Sequence, residues 1–383
     1  MGQGYRIDDI QALRALAITM VVVWHYGKSQ LGPQLIAPEI SHWLGLGVGV
    51  DLFFVISGYV IARSLIPAIE SNPSDAEKRR TVIAFWIRRA FRLFPSVWFW
   101  LVVILVCSAV FKTPQIWQSV ETNAATALSV VFHFANYRFA TNFMVAPMGA
   151  AFPYWSLSLE EQFYILLPLA ILVLRTRNAL LWFLVSTILL QCVIERGILG
   201  ILFRSEGLAA GVLLALLQNR NGYRRAGEMI IRRKWLSLTI ITTAALCLCS
   251  VSSAGIQASF GLSPSRSFNT ASILSTILVF LASHDQNVFT RIGIIRRSAV
   301  WVGERSYAMY LCHIPALYLT TELARRSTVF DNATATHYAA VLGAVPLMLI
   351  LSNWNYRYIE QPMIKRGRQY TQGYYRQSQN ANI

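Results

Sequence analysis

The sequence predicts an all-α integral membrane protein, a polytopic bundle of about ten transmembrane helices with both termini in the cytoplasm. Three observations predict it. The chain is 55% hydrophobic and only 14% charged, where a soluble domain carries about 25% charge. Ten apolar stretches approach the roughly 20 residues that a bilayer-crossing helix requires. Lys and Arg also collect in alternate loops, as they do on the cytoplasmic side of membrane proteins.

The ten stretches are 10–27, 45–66, 91–111, 156–174, 179–196, 203–218, 235–254, 268–284, 299–320 and 337–355. The sixth, eighth and tenth are short or polar. A further apolar stretch, 124–139, carries His133, Asn136 and Arg138 and reads as a re-entrant or interfacial helix. Arg14 inside the first stretch, with no small-residue cleavage site after it, argues against a cleavable signal peptide. With the N-terminus inside, the cytoplasmic segments hold 23 of the 34 Lys and Arg and the opposite loops hold 6. That ratio fixes the orientation and favours an even number of spans. The same distribution accounts for the net charge of +16. The basic residues form no stripe on a polar segment, so no nucleic-acid partner is expected. The division expected is one transmembrane domain over residues 1–368 and a short polar cytoplasmic tail over 369–383.

The five cysteines, Cys107, Cys192, Cys247, Cys249 and Cys312, lie in apolar runs without a CxxC pair and read as buried and inert. No residues have the spacing of a zinc site, a phosphate-binding loop or a nucleophile elbow, so no metal and no bound cofactor is expected.

Ionisable groups inside spans are costly and mark a pathway or a site. Arg14 and His25 are 11 residues apart, within about 20° of three full turns, and so point the same way roughly 16 Å apart along one helix. Asp51 follows the glycines at 45, 47 and 49 and is expected in the outer half of the second span, at a depth similar to His25. Glu160 and Glu161 open the fourth span; adjacent residues point about 100° apart, so only one of them faces a common interior. Ser306, Tyr307 and His313 lie on the ninth span, where His313 reads equally as a core histidine or a site residue. His25, Asp51, one of the two glutamates and His313 are thus candidates for one outer cavity, in which a carboxylate orients an imidazole that takes a proton from a hydroxyl. Arg88, Arg89 and Arg92 precede the third span. They fit either the general cytoplasmic bias or phosphate oxygens, which Arg forks suit.

Taken together these segments resemble the acyltransferase 3 family of bacterial membrane proteins. Arg14 through His25 looks like its Arg/Lys-x10-His signature, and Gly49 to Gly58 resembles its second-span motif. Arg88-Arg89-Ala90-Phe91-Arg92 is similar to its RRxxR loop, and Trp155 to Tyr164 to its fourth-span start. Ser306 to Pro315 and Glu360-Gln361-Pro362 complete the order. The resemblance implies about ten helices in the bacterial inner membrane. It implies acetyl-CoA or another acyl-CoA as co-substrate and a glycan or glycolipid hydroxyl as acceptor, with other glycan-assembly proteins as further partners. Arg14, His25 and the arginine segment would be essential; the residues themselves add Asp51 and Glu160 as catalytic candidates, either of which would orient the His25 imidazole. Arg14, Arg88, Arg89 and Arg92 would line the donor's path, and Glu161, Ser306, Tyr307 and His313 would lend support. Whether His25 acts as base or is itself acylated stays open at this level, as do the acceptor and the acyl group. The alternative is a transporter of a small solute or a lipid-linked glycan, which would show inverted repeats and broken helices; no such repeat is visible.

Overall fold

A computed structural model describes residues 6–29, 31–143, 145–197, 200, 202–290, 293–327 and 332–380, and every regular element among them is helical. The principal helices are α1 (Asp8–Gly27), α2 (Gly49–Glu70), α3 (Asp75–Phe111), α4 (Val120–Val131), α5 (Ala135–Asn142), α6 (Trp155–Leu174) and α7 (Arg177–Val193). They continue as α8 (Glu206–Leu217), α9 (Asn221–Arg232), α10 (Lys234–Ser250), α11 (Pro264–Ala282), α12 (Gly293–Arg326), α13 (Ala333–Asn355) and α14 (Gln361–Asn380).

Each of the ten predicted stretches falls on a helix. Among the described residues five helical segments are long and apolar enough to cross a bilayer unaided: Asp8–Gly27, Leu46–Glu70, Asp75–Phe111, Phe152–Leu174 and Ala333–Tyr374. A sixth is α10 together with Ala254–Phe260, which are bent by 96° at their junction. α8, predicted over 203–218, has 12 residues, or about 18 Å. The 124–139 stretch is two short helices, α4 and α5, broken around His133, whose φ is +60°.

The third span begins 16 residues before its predicted start. Ser74 and Glu77 form a reciprocal capping box, which satisfies two orphan N–H groups and starts α3 well ahead of its apolar run. In that run Trp98, Val102, Val106 and Val110 are exposed at every fourth position, while Trp100, Leu101, Ile104 and Ser108 are buried. One face of α3 is thus an apolar stripe suited to lipid and the other packs inward.

The chain divides into two compact units. The first comprises Met1–Ser64 and Leu174–Ser306. In it α1 packs on the turn Leu46–Val48 and on α11, and α8 packs on α7 and α11. α2 and α8 approach at Gly58 and Gly211, where a Cβ would stand 2.1 Å from the carbonyl oxygens of Leu208 and Val55 respectively. Only glycine permits that backbone separation.

The second unit comprises Leu65–Val173 and Tyr307–Ile383. α3 is its spine, with α4, α14 and the π-turn Tyr356–Glu360 against it. The Asn355 side chain fixes the end of α13 by donating to Ser96 Oγ (3.1 Å) and accepting from Trp100 Nε1 (3.2 Å). The predicted tail is helical through Asn380, and within it Tyr370 lies against Phe91 of α3.

Candidate functional site

In the first unit, α1 is an uninterrupted helix, so Arg14 and His25 do share one face; both side chains are half-buried. Asp51 stands in the first turn of α2, which lies against Ala17, Met20 and Val21 through Gly49. That contact falls one to two turns before His25, so Asp51 is not level with the imidazole.

Asp51 is fully buried and forms an ion pair with Arg204 Nη1 at 3.4 Å, and among the described residues neither of its oxygens makes a hydrogen bond. Of the two carboxylates expected to orient His25, Asp51 or Glu160, Asp51 is placed against Arg204. Its charge is answered by Arg204, whose guanidinium also lies 4.1 Å from the Phe268 ring centre. Beside them Arg196 grips Glu206 with both terminal nitrogens (3.1 and 3.2 Å) and also donates to Gln191 and Asn269. The four charges form a buried group with no net charge, the condition under which a low-dielectric interior tolerates them. Arg204 was not among the predicted site residues; its signal was a second charge at the edge of an apolar stretch.

In the second unit, Arg88, Arg89 and Arg92 are not in a loop. They sit inside the continuous helix α3 and are half-buried. The Arg89 guanidinium lies over the rings of Phe85 (5.5 Å) and Tyr164 (5.3 Å). Tyr164 in turn donates its hydroxyl to Glu160 at 2.7 Å. The arginines are thus level with the middle of α6, one turn from its carboxylates, and not a membrane thickness away. Hydropathy averaging hides this, because it ends the span at the first cluster of charge. Arg92 Nε is buried and, among the described residues, has no hydrogen-bond partner.

Glu160 and Glu161 diverge as the helical angle requires: Glu160 meets Tyr164, and Glu161 accepts from His133 Nδ1 at 2.5 Å. His133 stacks on Phe94 (5.4 Å), two residues beyond Arg92. The hydrogen bond to the Glu161 carboxylate raises the His133 pKa above the ordinary imidazole value. His133 was noted in the sequence but assigned no role.

Of the residues predicted on the ninth span, Tyr307 ties it to a neighbouring helix, and the nearby Tyr310 and Leu311 add further ties. Tyr307 donates to the Leu93 carbonyl (2.8 Å), and Tyr310 donates to the Pro153 carbonyl (2.6 Å) while accepting from Ser156 (2.7 Å). Tyr154 donates to the Leu311 carbonyl at 2.6 Å. Pro315, four residues on, has no N–H for that carbonyl, and the Tyr154 hydroxyl replaces it. Trp86 does the same for the Tyr164 carbonyl (2.9 Å), which Pro168 leaves open. His313 is fully buried and its Nδ1–H donates to the Tyr310 carbonyl at 2.8 Å; Ser306 is also fully buried. Glu360, in the π-turn, is buried beside α3. Among the described residues no three His, Cys, Asp or Glu side chains are grouped to hold a metal ion.

Comparison with known proteins accounts for this arrangement of motifs. The family model described as an acyltransferase domain matches residues 7–354. The chain is similar to the peptidoglycan O-acetyltransferase OatA of Listeria monocytogenes, at 28% identity over 94% of this chain and 56% of that protein. It is 26% identical to the O-acetyltransferase OatA of Staphylococcus aureus, over 94% of this chain and 58% of that one. The putative peptidoglycan O-acetyltransferase YrhL of Bacillus subtilis is 27% identical, with 94% and 55% covered. The chain thus spans just over half the length of these relatives, and no solved structure matches it. With its long apolar helices and a match over nearly its whole length, the chain is a multi-pass membrane protein that belongs to the acyltransferase 3 family.

Proposed function

We propose that the chain is a membrane O-acyltransferase, with about ten spans and cytoplasmic termini, that takes an acetyl group from acetyl-CoA at the cytoplasmic face of the inner membrane. It delivers that group to a hydroxyl of a surface glycan. The relatives named as peptidoglycan O-acetyltransferases make peptidoglycan the first acceptor to test. The observation that carries the reading is the arginine segment of α3. Three half-buried guanidinium groups lie on one helix, level with the middle of α6 and one turn from its carboxylates, and among the described residues Arg92 Nε makes no hydrogen bond. A membrane helix retains such charge where a charged ligand or pathway compensates it, and the phosphates of CoA are such a ligand. Arg88, Arg89 and Arg92 hold those phosphates, Arg14 lines the path of the thioester arm, and His25 supplies the imidazole for transfer. Acetyl-CoA is a substrate here and not a resident cofactor. Other glycan-assembly proteins enter as partners that present the acceptor.

The test supplies labelled acetyl-CoA to inverted vesicles holding wild-type or His25→Ala protein, with peptidoglycan fragments as acceptor. Alkali-labile label in the glycan, lost with the variant while the protein stays in the membrane, is the expected outcome. Full transfer by His25→Ala would remove the assigned role of that imidazole. No label with wild-type protein and no acetyl-CoA binding would favour transport instead.

A further inference from the structure

The break between α4 and α5 is held open by one face of α6. His133 adopts a left-handed backbone (φ +60°), uncommon for a residue with a side chain. Three residues at positions i, i+3 and i+4 of α6 grip the break. Ser158 Oγ accepts from the Ala135 N–H (3.3 Å), and Glu161 accepts from His133 Nδ1 (2.5 Å). Gln162 donates to the His133 carbonyl (2.7 Å) and exchanges hydrogen bonds with Asn136. Glu161 is 9% exposed and the imidazole 28% exposed. Phe94 covers one ring face, and among the described residues Nε2 makes no hydrogen bond. Ser158, Gln162 and Asn136 are neutral, so among the described residues Glu161 is the charged group that meets the ring.

A buried carboxylate on Nδ1 fixes the tautomer in which Nε2 carries the lone pair, and it stabilises the imidazolium that forms on protonation. Packing alone does not require such a pair. We propose that His133, positioned by Glu161, is the general base that activates the acceptor hydroxyl. As the hydroxyl oxygen bonds to the acyl carbon, its proton moves to His133 Nε2. The bond from that carbon to the donor's leaving atom breaks, the electron pair stays on the leaving atom, and the Nε2 proton then neutralises it. The inference rests on the acyltransferase reading and assigns the acceptor side of its chemistry to His133.

The discriminating variant is His133→Asn, whose amide can still donate to Glu161 but has no basic nitrogen. In the vesicle assay its kcat for glycan acetylation is expected to fall at least 100-fold, within the range for a lost general base. KM for acetyl-CoA should stay within twofold, and added imidazole should restore part of the rate. Glu161→Gln is expected to lower kcat and move the acid limb of the rate profile to lower pH, since the bond that raises the imidazole pKa is gone. A His133→Asn rate within threefold of wild type would overturn the proposal. Loss of donor binding together with transfer in that variant, without rescue by imidazole, would overturn it equally by showing a structural role. Inactive wild-type protein would instead refute the underlying reading.

Discussion

Asp51 shows at the scale of one residue what a membrane interior demands. A carboxylate there is tolerated when an opposite charge stands beside it, and Arg204 provides that charge at 3.4 Å without hydrogen-bond geometry. Removing one member leaves the other charge buried and unanswered, at a cost of ~3–5 kcal/mol. Asp51→Asn and Arg204→Gln are therefore each expected to lower the thermal stability of the detergent-solubilised protein sharply. The double variant Asp51→Asn/Arg204→Gln should recover much of the loss; two stable single variants would show that the pair carries no such coupling. Asp51 was legible in the sequence as an anomaly because a span should hold no aspartate. Its partner was not, because helical periodicity relates positions within one helix and says nothing of residues 51 and 204. The same limit hid the His133–Glu161 pair, although each residue stood out separately.

Proline explains much at the scale of the element. A proline within a helix frees the carbonyl four residues earlier, and in lipid no water is present to satisfy it. Here two such carbonyls, on Leu311 and Tyr164, are each taken by an aromatic donor from another helix or turn, Tyr154 and Trp86. Tyr154→Phe should cost about 1–3 kcal/mol, the range for a buried polar group left unsatisfied. In a Pro315→Ala background the same change should cost clearly less, because the alanine introduced there would supply the missing N–H. Thermal unfolding of the four proteins measures the coupling, and additive effects would contradict the exchange of donors. All ten apolar stretches were legible as helices from hydropathy alone. The extension of α3 was not, since its start depends on a capping box and its arginines lower the local average. Nor was the bend after α10, which no proline marks.

For the molecule as a whole, α3 is 37 residues long and the segment Ala333–Tyr374 is 42, or roughly 55 and 63 Å as helix. A bilayer core takes about 30 Å, so both helices continue well beyond it. Gly367 and Tyr370 of α14 meet Phe91 of α3, so the halves that leave the apolar zone run side by side. These halves carry Lys78, Arg79 and Arg80 on one helix and Lys365, Arg366 and Arg368 on the other. For the acyl-CoA donor proposed above, a polyanion, such a pair would act as a cationic antenna. Long-range attraction of this kind accelerates encounter and is screened by salt, with a Debye length of about 8 Å at physiological ionic strength. The apparent second-order rate constant for acetyl-CoA is expected to fall as salt rises. Replacing Lys78, Arg79 and Arg80 by Gln should flatten that dependence and leave kcat unchanged. If the slope survives the triple substitution, capture of the donor is governed elsewhere.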